Sequence, residues 1–196
     1  MSVEAESIRT GRLELRPLRV VDAEEMAAVL SEPALHTFIG GTPATPRALR
    51  SRYRRLTAGS PDPAVTWLNW VVLLRAEDRL TGTVQATITA ADGGPVAEVA
   101  WVVGTPWQGR GIATEAARGL VGRLGLLPVR RIVAHVHPEH HASAAVAAAA
   151  GLEPTGEWQD GELRWARDLS GPRKTGFVRP AGAPGPGPTA ASCRSS

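Results

Sequence analysis

An α+β fold, a mixed and mainly antiparallel sheet flanked by helices, is predicted from three features of the chain. Apolar runs at 67–74, 81–90 and 96–103 follow one another across the short polar breaks RAEDR and ADGGP, a spacing that suits antiparallel neighbours. The pattern then changes to one strand–helix–strand unit over 96–137. Finally LEPTGEW and ELRWARDL read as a closing hairpin.

Each element has a local cause. RLELRPL, 12–18, alternates apolar and polar residues, as a half-buried strand does. Asp22 is placed to cap a helix running to Leu30, with Glu24 and Glu25 suiting its positive end. Thr45 followed by Pro46 forms a cap and first-turn pair for an arginine-rich helix, in which Leu49, Tyr53 and Leu56 mark the inner face. The segments SEPALHTFIGGTP and AGSPDPAVT between 31 and 66 read as loops only. After the strand 96–103, Ile112, Ala116, Leu120 and Leu124 recur every four residues on one side of a helix reaching about Leu126. A strand over 130–137 and an alanine-rich helix over 143–150, stopped by Gly151, complete the order.

Composition narrows the classes. A chain of 196 residues with 43% hydrophobic content can bury one sizeable core. Residues 8–169 are expected to form one domain, and the Pro/Gly/Ala-rich 170–196 a disordered tail. No apolar run reaches 18 residues and the N-terminus lacks a signal-like segment, so a cytoplasmic protein without membrane partners is expected. Cys193 is the single cysteine and lies in that tail, which removes a disulfide and disfavours a cysteine nucleophile. The net charge of +3 is mild, and the pI of 9.9 reflects arginine usage, Lys174 being the sole lysine. Nucleic acid is therefore disfavoured as a partner.

The stretch WQGRGIATEA, 107–116, sets two glycines at the junction of strand and helix. A helix start offers unpaired N–H groups and partial positive charge, and bare glycine backbone lets an anion approach, so a phosphate is the natural ligand. A nucleotide-hydrolysing P-loop is excluded because no GxxxxGK[ST] string occurs. A dinucleotide fingerprint is disfavoured because GRGIAT lacks the third glycine and no acidic residue closes the next strand.

The spacing Gln108-x-x-Gly111-x-Ala113, directly after AEVAWVV, resembles the pyrophosphate loop of the GNAT superfamily of N-acetyltransferases. The order of TGRLELRPLRVVDAEEM, the glycine stretch and HPEHHASAAVAAAAGLEPTGE resembles its RimJ/RimL-like branch, over about residues 10–167. The resemblance implies a GNAT-like fold with acetyl-CoA as co-substrate. It implies Val102 and Val103 as main-chain partners of the pantetheine arm, and Gln108, Gly109, Arg110, Gly111, Ile112, Ala113 and Thr114 as the pyrophosphate site. His140 stands where the family usually has asparagine and is implied as a further cofactor contact; Ala147 stands where the family has a tyrosine often used as general acid, Ala149 in place of lysine and Leu152 in place of phenylalanine.

The implied reaction moves an acetyl group from acetyl-CoA to a primary amine, either a protein N-terminal α-amine or a small-molecule amine. With no usable cysteine in the fold, direct attack in a ternary complex is expected. Ser143 is the candidate general acid, with helix capping as its ordinary alternative. Glu98 and His135 compete as general base, the first on the strand before the glycine turn and the second on the next strand. His135 and His137 with His140 or His141 would be a metal set, but no cysteine supports it and no metal is expected. A non-catalytic acyl-CoA sensor or scaffold of the same fold is the alternative reading. Monomer and homodimer stay open, as does the acceptor.

Overall fold

The computed structural model describes residues 3–169, so the tail expected over 170–196 lies outside the described residues. Eight strands form one sheet: β1 (Ile8–Arg9), β2 (Leu13–Pro17), β3 (Val65–Leu74), β4 (Arg79–Thr89), β5 (Val96–Val103), β6 (Arg131–Val136), β7 (Glu153–Gln159) and β8 (Glu162–Asp168). Their spatial order is β1-β2-β3-β4-β5-β6-β8-β7. Every adjacent pair is antiparallel except β5–β6, which is parallel. That pair needs a crossover, and α4 (Ile112–Leu124) provides it. The other helices are α1 (Ala23–Val29), α2 (His36–Ile39), α3 (Pro46–Thr57) and α5 (His141–Ala149).

Two apolar layers hold the sheet. Ile112, Ala116, Leu120 and Leu124 of α4 are at most 1% exposed and pack, with Val146 and Ala147 of α5, on Leu15, Trp70, Val84, Val99 and Ile132. The four-residue repeat thus marks the buried stripe of α4 despite three glycines in and just after it. On the opposite face, Met26 of α1 and Leu49 and Tyr53 of α3 cover Val71, Leu73 and Leu80. This second layer covers the β2–β4 half of the sheet. Glu98 and Ala100 of β5 remain exposed beyond it.

Several local expectations change. Asp22 does not cap α1 through its side chain; its carboxylate accepts from Arg19 N–H at 2.8 Å and pairs with the Arg19 guanidinium, closing a short 3₁₀ turn before the helix. Residues 33–39, read as loop, form a 3₁₀ turn and the single-turn α2, too short to leave a periodic signature. The two-residue β1 was also not expected. It pairs Ile8 with Leu15 across a tight turn. Helix α5 starts at His141 rather than 143 because the residue before it supplies the cap. Trp70 is 1% exposed and donates through Nε1 to Glu6 C=O, so it belongs to the core.

Gly82 makes the β4–β5 contact possible: a Cβ there would lie 2.1 Å from Val102 O and 3.0 Å from Val103 Cα, both main-chain atoms. Gly82→Ala is expected to destabilise the protein by about 1–3 kcal/mol in chemical denaturation, because backbone cannot yield as a flexible side chain can.

Candidate active site

Strands β5 and β6 are paired only at Val96–Arg131, Ala97–Ile132 and Glu98–Val133. Beyond Glu98 both continue, β5 to Val103 and β6 to Val136, without each other. The hydrogen bond from Gly104 N–H to Thr81 C=O, 2.8 Å, sets the parity of the β4–β5 ladder. Residues of β5 in phase with Gly104, namely Ala100 and Val102, direct their main-chain groups to β4. Trp101 and Val103, beyond the last pair, turn theirs into the gap that β6 leaves. Val102, expected as a main-chain partner of the arm, thus has its main-chain groups on β4 while those of Trp101 face the gap, and Val103 has its carbonyl taken by Gln108 Nε2 at 3.0 Å. A cleft of about 960 Å³ opens at this divergence, walled by β5, β6, the starts of α4 and α5, and the α1–α3 segment.

At the end of the cleft the backbone turns through Gly109 (φ 71°) and Gly111 (φ 74°), both left-handed. The first helical bond of α4 runs from Glu115 N–H to Gly111 C=O. Consequently the consecutive N–H groups from Gly109 to Thr114 have no hydrogen-bonding partner among the described residues. A row of unpaired donors at a helix start, with two glycines that keep side chains away, fits a diphosphate. Gly109, Gly111, Ile112, Ala113 and Thr114 all face the cleft.

Two side chains in this stretch differ from expectation. Gln108 has its amide on Val103 C=O and its N–H on Thr105 C=O, so it ties the loop to the strand end. Arg110 was expected to add charge to the phosphate site, but its guanidinium pairs with Glu77 at 2.5 Å. Glu77 sits in the β3–β4 turn and also accepts from Trp107 Nε1 at 3.1 Å. The Arg110 and then the Trp107 hydrogen bonds hold its carboxyl below the usual range.

On the other side, Glu115 accepts from Thr10 Oγ1 (2.6 Å), Arg12 N–H (2.7 Å) and Arg12 Nε (2.7 Å). Burial pushes the Glu115 carboxyl up, but these hydrogen bonds and the Arg12 charge outweigh it and hold it low. Arg12 reaches on through Nη1 to Arg110 C=O at 3.0 Å. Glu77 and the Arg12–Glu115 pair thus fix the loop from both flanks. Neither flank was legible beforehand, since the β1–β2 and β3–β4 turns approach the glycines only in the folded sheet.

The start of α5 forms the facing wall. His140 Nδ1 accepts the Ser143 N–H at 3.0 Å, so His140 is the cap. Ser143 lies in the first turn, half-buried, among the residues lining the cleft, and its hydroxyl has no hydrogen bond to another described residue. The capping alternative for Ser143 is thereby replaced: the histidine does that work. Ala147, in the family tyrosine's place, is fully buried against α4. The chain's one tyrosine, Tyr53, is pushed up to about 12 by burial, too high to share a proton near neutral pH.

The two base candidates are neighbours, not alternatives in separate places. His135 Nδ1 lies 3.4 Å from Glu98 Oε1. Glu98 is 57% exposed, whereas His135 is 11% exposed and its Nε2 is buried without a partner. His137, expected on the same strand face, falls after β6 ends at Val136. Among the described residues no three His, Cys, Asp or Glu side chains converge as a metal set. No helix of the described residues is long and apolar enough to cross a membrane.

The family model "Acetyltransferase (GNAT) domain" matches residues 12–153. Among solved structures, the chain is similar to the acetyltransferase (GNAT family) from Bacillus anthracis at 21% identity and a TM-score of 0.70, over 84% of this chain and 99% of that one. It is similar to RimL, a ribosomal L7/L12 alpha-N-protein acetyltransferase in complex with coenzyme A, at 17% identity and a TM-score of 0.69, over 84% and 98%. The ribosomal-protein-S5-alanine acetyltransferase from Vibrio fischeri follows at 19% identity and a TM-score of 0.71, over 84% and 97%. No curated protein matches by sequence.

Two substitutions test the loop. Gly111→Val must strain a left-handed backbone and is expected to weaken coenzyme A binding at least about tenfold in calorimetry. Arg12→Ala leaves the cleft lining intact but frees the Arg110 carbonyl, and a KM for acetyl-CoA raised about tenfold at nearly constant kcat is expected in steady-state kinetics.

Proposed function

This chain belongs to the GNAT acetyltransferase family, an acetyl-CoA-dependent N-acetyltransferase, and from that premise we propose that it acetylates a primary amine by direct attack within a ternary complex. A protein N-terminal α-amine is the first candidate acceptor, in keeping with a RimJ/RimL-like branch and with the ribosomal-protein acetyltransferases among the structural neighbours. A small-molecule amine is the second.

The observation that carries this reading is the unpaired N–H row from Gly109 to Thr114 at the end of a cleft with Glu98 exposed in it. Acetyl-CoA supplies the activated acetyl group as a thioester. Everything else is asked of the chain. The loop amides bind the diphosphate, and the main-chain groups of Trp101, beyond the last β5–β6 pair, orient the arm and offer an N–H where negative charge develops on the acyl oxygen. Glu98, accessible to the acceptor, takes the ammonium proton directly or through one water. His135, whose second nitrogen is sealed from the cleft, holds that carboxylate in place. Ser143 donates a hydrogen bond to the leaving sulfur. Glu98 and Glu162 are the carboxylates lining the cleft, which favours a cationic acceptor there.

Thiol release from acetyl-CoA with a panel of N-terminal peptides, polyamines and aminoglycosides is the direct test. No release with any amine would refute acetyl transfer to this class. Glu98→Gln is expected to lower kcat about 100-fold and remove the acidic limb of the pH–rate profile, and His135→Gln to lower kcat less with the limb kept. The opposite ranking would exchange the two roles. Ser143→Ala is expected to lower kcat about tenfold or more, and unchanged turnover would take Ser143 out of the mechanism.

A further inference from the structure

Helix α5 begins where it does because an imidazole closes its first turn, His140 Nδ1 accepting the Ser143 N–H at 3.0 Å. Only a neutral ring with its proton on Nε2 can do this; the protonated ring donates at both nitrogens. The same ring receives Phe38 of α2 in an edge-to-face contact, centroids 4.2 Å apart at 79°. Phe38 also approaches His137, at 5.6 Å. His140, Ser143 and Phe38 all line the cleft, so this imidazole lies between the serine wall and the short helix α2.

We propose that His140 is a positioning residue for acetyl transfer: its neutral imidazole fixes the first turn of α5, and with it the Ser143 hydroxyl, while its ring seats Phe38 of α2. The inference rests on the reading of Ser143 given above. An asparagine at this position would cap without titrating, whereas a histidine makes the geometry depend on pH.

The groups around the ring set the direction. His137 faces it, Glu139 and His141 flank it in sequence, and His36 stands on α2 with its ring on Gly40 and Leu30 carbonyls. His135, Glu98 and Glu162 lie in the same cleft from β6, β5 and β8. Burial, and then the His137 charge, push the His140 imidazole below the ordinary histidine range, against a backbone hydrogen bond that raises it. A lowered value means the cap is complete above about pH 6.5 and is lost as pH falls through that lowered value.

The test combines a tautomer measurement with kinetics on the full chain. Nitrogen-15 correlation spectra at pH 8 are expected to show His140 with Nδ1 unprotonated. His140→Ala is expected to lower kcat about tenfold with the KM for acetyl-CoA within about twofold. His140→Asn is expected to recover most of that loss and to decline less than the parent between pH 7 and 5.5. If His140→Ala does not fold, the tautomer and His140→Asn still decide. An Nδ1-protonated ring, His140→Ala at parental kcat beside an impaired Ser143→Ala, or His140→Asn no better than His140→Ala overturns this inference alone. Ser143→Ala at parental turnover overturns the Ser143 reading and this inference together.

Discussion

The functional architecture depends on two parallel strands that stop pairing. After Glu98 and Val133, β5 and β6 part, and a sheet that is otherwise continuous acquires a slot lined with unsatisfied main-chain groups. Buried backbone donors and acceptors without partners are costly, so a gap of this kind persists where something else satisfies it. Helix α4 holds the slot open. It must cross from the end of β5 to the start of β6, and its four buried residues Ile112, Ala116, Leu120 and Leu124 anchor that crossing.

The proposed anion site at the head of α4 is built mainly from backbone. Arg110 is the obvious cation in the loop, yet its charge is directed at Glu77, and Gln108 braces the strand end. What faces the cleft is a run of amides whose aim is set by two left-handed glycines and by flanking carboxylates. Such a site costs no reorganisation when charge arrives, since the dipoles are already oriented. The exposed ion pairs serve mainly to fix geometry, because pairs in contact with water contribute little stability by themselves.

The proposed division of labour in the cleft follows exposure to water. Glu98 is exposed while His135, 3.4 Å away, is mostly buried with its Nε2 unpartnered, a difference between two residues that looked equivalent along the chain. The buried Ala147 leaves no hydroxyl where the family commonly has one, and Ser143 is the hydroxyl left facing that wall. His140 then occupies the cap, a position where hydrogen bonding to the helix start matters more than charge.

Periodicity and turn chemistry made most of the sheet readable. β5 at 96–103, the buried stripe of α4 and the final hairpin, whose Asp160–Gly161 turn has both φ positive, are all local consequences of residue type. The glycine loop was legible for the same reason, because bare backbone between strand and helix has few uses. Residues 33–39 were not, being a single turn each. Nor were the braces from Glu77, Arg12 and Glu115, the meeting of Glu98 with His135, the turn of the Val102 main chain towards β4 and of the Trp101 main chain towards the gap, or the capture of the α5 cap by His140. Local sequence determines which segments become strands and helices, since those preferences act over a few residues. Which side chains then meet depends on register and crossover, which pair residues about 100 positions apart, as in Thr10 with Glu115, and only the closed sheet decides them.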